Sequence, residues 1–185
     1  MIMTVDDLRR FVSTDEDDQA LEDKLQALES LIRAYTNNNF LNRAIRSVAL
    51  ADADDNAFVC TDKIPLSVGD TIQASESDLM QGDLFVVTAI SGKTITVKER
   101  VYSESDVTIT KVEYPLDIRI GIVNMMKWEL MNREKVGVQS ETISRHSVTY
   151  FNMDGDNSVM GYPKSMLGFL KPYMKARFGQ GLWCG

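Results

Sequence analysis

Apolar residues recur at steps of three and four from Leu21 through Leu25, Leu28 and Ile32 to Tyr35, which predicts a helix with one core-facing stripe. Ahead of it, Thr4 and Asp7 have the spacing of a capping box, and Leu8, Phe11 and Val12 supply the apolar face of a short first helix. Ser13 stands three residues before Glu16 and predicts a second capping box at the start of the longer helix. The run Asn37-Asn38-Asn39 ends that helix, because asparagine favours caps and turns over helix interiors.

After about Arg43 the period changes. The runs 71–73, 84–88, 94–97 and 107–110 are β-branched or aromatic and partly alternate, which predicts short strands. Ser91-Gly92-Lys93 marks a tight hairpin, while Val68-Gly69-Asp70 and Gln81-Gly82-Asp83 mark turns. Helical spacing returns behind Pro115, with Ile118, Ile122, Met125 or Met126 and Leu130, and Gly137 stops it. Residues 147–151 have strand character, and Asp154-Gly155-Asp156-Asn157 reads as a turn. A last short helix begins near Pro163 and is kinked or ended by Pro172.

Together these patterns predict an α+β chain. Residues 1–43 and 114–185 form a helical bundle body of about four helices plus a β-hairpin, with a flexible C-terminal tail. Residues 44–113 form an inserted small β-barrel or meander.

Charge adds a direction to this layout. The net charge of −7 divides into −4 over residues 1–43, −6 over 44–113 and +3 over 114–185. No acidic side chain follows Asp156, whereas Lys164, Lys171, Lys175 and Arg177 do. A basic end on an acidic body suits docking on something negative. A solvated helix end would also account for it. The acidic β-module speaks against the alternative of a small-barrel nucleic-acid-binding accessory protein, since such binding rests on neutralising phosphates. No stretch reaches the ~18 apolar residues of a membrane span. The N-terminus lacks the basic start and apolar run of a secretory signal, so a soluble protein made inside the cell is expected. Cys60 and Cys184 read as free thiols.

Candidate chemistry is sparse. Asp52, Asp54 and Asn56 have the 1-3-5 spacing of a calcium loop, but Ala57 and Lys63 occupy its glycine and glutamate positions. Asp154, Asp156 and Ser158 likewise lead to Val159 and Ser165. Both stretches read as turns. Glu141 and the single histidine, His146, lie close together without a nucleophile signature. No catalytic residue, metal or cofactor is expected, and the chain reads as no enzyme.

Taken in order, several blocks carry a more specific signal. They are the segment 31–40 ending in Asn37-Asn38-Asn39-Phe40, then Tyr114-Pro115-Leu116-Asp117-Ile118, then residues 138–150 with Ser140-Glu141-Thr142-Ile143 and Ser147-Val148-Thr149-Tyr150, and finally Tyr162-Pro163-Lys164-Ser165 and residues 170–178. In this order they resemble the head–tail connector proteins (head completion proteins, or adaptors) of long-tailed bacteriophages. The resemblance covers residues 1–43 and 114–178. The chain departs from the simplest members by its insertion of about 70 residues, whose Val68-Gly69-Asp70 and 82–87 patterns are similar to insertions in connectors of Gram-positive phages.

The resemblance implies a structural virion protein at the neck, made in the bacterial host cytoplasm. Such a protein forms a ring, usually twelvefold, on the portal vertex after viral genome packaging. Its implied partners are the portal protein, further copies of itself, and the next connector or tail-completion protein. Packaged DNA would pass through the channel without specific binding, and no membrane is involved. On this reading Lys164, Lys171, Tyr173, Lys175, Arg177, Phe178 and Trp183 dock the chain on the portal. Glu141, Ile143, Arg145, Val148 and Tyr150 form a hairpin that contacts a neighbouring subunit or the portal.

Overall fold

The computed structural model describes residues 2–132, 140–143, 146–149 and 157–176. By internal contacts the chain divides into two compact units, one of residues 39–114 and one of residues 2–38 with those from 115 onward.

The first unit is a closed six-stranded barrel. Its strands are β1 (Leu41–Asp52), β2 (Ala57–Cys60), β3 (Thr71–Ser75), β4 (Leu84–Ser91), β5 (Thr94–Val97) and β6 (Glu104–Val112). They close in the order β1-β2-β5-β4-β3-β6, and every neighbouring pair is antiparallel. The twelve-residue β1 pairs with both β2 and β6 and shifts register between Asn42 and Arg46 and between Ala49 and Ala51. Such irregularities bend a strand enough to close a small sheet on itself. Phe58 and Phe85 meet edge to face inside, with ring centroids 5.0 Å apart. Ile72, Met80, Val101, Val107 and Ile109 complete a fully buried centre. The β4–β5 hairpin turns on Gly92 at φ +63°, the left-handed conformation that a two-residue loop beginning with glycine requires.

Side chains tie the barrel ends. Asn56, at φ +49° just before β2, donates from Nδ2 to the carbonyls of Val97 (2.8 Å) and Glu99 (3.0 Å). Its Oδ1 accepts from the Val101 amide at 2.8 Å. Asp52 Oδ1 accepts from the amides of Asp54 and Asp55, so the 52–56 stretch is a turn, as its sequence suggested. Glu104 accepts from Ser77 Oγ (2.6 Å) and the Asp78 amide (2.7 Å), which holds its carboxyl below the ordinary glutamate range. Glu99 accepts from the Val86 amide at 2.6 Å. Asp52, Glu99 and Glu104 thus cap backbone donors in turns and strands of this unit.

The second unit contains α1 (Val5–Arg9), α2 (Asp18–Thr36), α3 (Leu116–Asn132) and a 3₁₀-helix, Lys164–Tyr173. Strand pairs β7–β8 (Ser140–Ile143, His146–Thr149) and β9–β10 (Ser158–Val159, Tyr162–Pro163) accompany them. Thr4 caps α1 by accepting from the Asp7 amide, as expected. The cap of α2 is Asp17, which accepts from the Ala20 amide, and not Ser13. Residues 13–16 are held outside the helix, where Arg9 donates to the carbonyls of Thr14 and Glu16. Asn37 closes α2 in the left-handed conformation at φ +49°.

The expected helical bundle body is not what forms. Among the described residues only α2 and α3 are α-helices longer than two turns, and the largest assembly of elements is the closed barrel. The physical reason lies at both ends of the chain. Only five residues wind into α1. At the other end, Gly168 and Pro172 disfavour an α-helix. There Leu167, Leu170 and Tyr173 repeat every third residue, the period of a 3₁₀-helix, and the first two are buried. A bundle needs several long helices with complementary stripes. The described residues supply two.

Candidate functional site

The C-terminal stretch expected to dock is bound along α2 and α3. Tyr162 donates its hydroxyl to Glu129 at 2.7 Å and packs on Trp128 with ring centroids 5.3 Å apart. Phe169 lies against the backbone of α3 at Gly121, where a β-carbon would stand 2.3 Å from its ring. Only glycine leaves room for that approach. Tyr173 donates to both carboxylate oxygens of Asp117, at 2.7 and 2.8 Å, and the hydrogen bond raises its hydroxyl above the ordinary tyrosine range.

Beyond this the end of α2 holds the chain. Asn38 Nδ2 donates to the Tyr173 carbonyl at 3.2 Å, and Asn37 Nδ2 to that of Ala176 at 3.0 Å. The Lys175 amide donates to the Thr36 carbonyl at 2.8 Å. The asparagine run thus does more than stop a helix. It clamps residues 173–176, and nothing local in the sequence signals that long-range role.

Of the residues expected to dock, Lys164, Lys171 and Lys175 are exposed and Tyr173 is half-buried in its bond to Asp117. Arg177, Phe178 and Trp183 lie outside the described residues. In the expected contact hairpin, Glu141 pairs with Val148 and Ile143 with His146 in antiparallel register. Arg145 and Tyr150 lie outside the described residues, as do Asp154 and Asp156. The described residues include no cluster of three or more acidic, histidine or cysteine side chains placed to hold a metal. No helix among them is long and apolar enough to cross a membrane. Cys60 is a buried free thiol whose pKa is raised, chiefly by burial.

Two features escaped the sequence reading. A groove of about 210 Å³ runs between α2 and α3, lined by Lys24, Ala27, Leu28 and Leu31 on one side and Met126, Glu129, Met160 and Tyr162 on the other. The second is the outer face of α3, where Leu116 (71% exposed), Ile120 (42%) and Met131 (71%) stand in solvent. The signal was present in the sequence, because Leu116, Ile120 and Met131 fall on the side of α3 opposite Ile118, Ile122 and Met125. Compared with known proteins, the chain matches no family model and no curated sequence.

Proposed function

We propose that this protein is a structural connector of a bacteriophage neck, one that forms a ring on the portal vertex, extends the DNA channel and joins the head to the tail. The proposal rests on the resemblance of residues 1–43 and 114–178 to head–tail connectors. One structural observation carries it further. Residues 162–176 are fastened to α2 and α3 by the Tyr162–Glu129, Tyr173–Asp117 and Asn37–Ala176 hydrogen bonds, while Lys164, Lys171 and Lys175 remain exposed. Such a segment presents its cations from a fixed base, which suits docking on an acidic oligomeric partner with repeated identical sites. The portal protein is that partner in this reading, and the next connector or tail-completion protein meets the opposite surface. The acidic balance of the remainder lets DNA pass without sticking.

The test is imaging and mass measurement of the purified protein mixed with a cognate portal complex. A ring stacked on the portal is expected, and removal of residues 177–185 should weaken it. Absence of any stacked ring overturns the proposal. Salt-dependent binding of the free chain to duplex DNA would favour the nucleic-acid-binding alternative instead.

A further inference from the structure

We infer that the outer face of α3 is an assembly surface whose occupant is the outer face of α2 in a second copy of this chain. The inference deepens the ring reading and rests on it. On the helical wheel, Leu116, Ile120, Asn124, Lys127 and Met131 fall on one side of α3, and the three large apolar members are exposed along its whole length. A stripe of this kind on an isolated chain loses the stabilisation that burial would bring.

The outer face of α2 offers a matching surface. Asp23, Ala27, Ser30 and Ala34 recur at steps of three and four and are all exposed. Small side chains there let a second helix approach closely and receive the larger side chains of α3, and the 210 Å³ groove opens beside Ala27. Lengths also agree, at 19 residues for α2 and 17 for α3.

Charge sets the register. Within one chain the two helices run antiparallel. The end of α2 and the start of α3 meet the same segment at Lys175 and Tyr173, and residues 24–31 share the groove with Met126 and Glu129. The proposed contact between copies keeps that antiparallel sense. Laid against a neighbour in the same register, Ile120 falls over Ser30 and Ala34, and Lys127, the one cation of the stripe, falls beside Asp23. The contact uses different faces on the two copies, so it propagates from copy to copy rather than stopping at a dimer, and a closing rotation makes the assembly a ring.

The experiment follows from that asymmetry. Full-length wild-type chain, Ile120→Glu and Ala27→Glu are compared by sedimentation at rising protein concentration, with circular dichroism confirming that both exposed substitutions leave the fold intact. Wild type should form species larger than dimers. Each variant alone should remain monomeric, and an equimolar mixture of the two should stop at dimers, since one intact α3 face meets one intact α2 face. A disulfide between separately prepared Ile120→Cys and Ala27→Cys chains provides a second readout that traps weak association. Either variant assembling like wild type, or a monomeric wild type together with no Ile120→Cys to Ala27→Cys disulfide, overturns the inference. Those outcomes leave the connector reading to its own portal test.

Discussion

Gly121 on α3 offers the most direct check on how the cation-bearing segment is held. An alanine there places its β-carbon 2.3 Å from Phe169 Cε2 and Cζ, so the ring has to retreat by about 1.1 Å to regain ordinary 3.4 Å contact. Overpacking of this kind costs about 1–3 kcal/mol. Alanine recovers about 0.8–1.0 kcal/mol in helix propensity over glycine. The balance runs from about zero to a net loss of about 2 kcal/mol, with Phe169 as the source of any loss. Urea titration followed by fluorescence of Trp128, which packs on Tyr162 in the same unit, reads the effect once Trp183→Phe removes the other tryptophan. In a Phe169→Ala background the same Gly121→Ala change should stabilise by up to about 1 kcal/mol, because only the propensity term remains. Stabilisation of equal size in both backgrounds would refute the reasoning, since it would mean that the ring does not rest on α3 at Gly121.

Two further outcomes probe the barrel. Asn56→Gly keeps the left-handed backbone but removes three hydrogen bonds, and it should destabilise the barrel by about 2–3 kcal/mol, read as lost amide-exchange protection at Val101 and along β5. Unchanged protection would remove Asn56 from its role as a tie. Glu104 has a lowered folded pKa, so its contribution is fully present above pH 4.5 and is lost as pH falls through the lower folded value. Glu104→Gln should therefore flatten the acid side of the barrel's stability profile while leaving its shape near neutral pH. A variant profile parallel to wild type at all acid pH values would contradict this.

Several elements were legible without coordinates because their information is local. The α2 stripe from Leu21 to Ile32 matches the buried face of the helix, the asparagine run ends it, and Gly92 marks the β4–β5 turn. Each depends on residues within one or two turns of one another, where side-chain period and backbone preference act directly.

What local pattern could not decide was closure and partnership. The longest strand, β1, went unrecognised because its amphipathicity is inverted in size. Ala49 and Ala51 face the barrel interior at 1% exposure, while Val48 and Leu50 stand 39% and 52% exposed. Only a narrow barrel, already filled by Phe58 and Phe85, makes alanine the right interior residue. The mistaken bundle has the same origin. Apolar residues near the C-terminus signalled a helix, but their three-residue repeat acquires meaning only when Leu167 and Leu170 have a surface to meet. The roles of Asn37, Asn38 and Gly121 likewise depend on partners 48 to 139 residues away, which periodicity does not reach. Sequence by itself determined where this chain turns from helix to strand and where its charge reverses. Tertiary structure decided which faces are covered, because burial is a property of what packs against a residue and not of the residue alone.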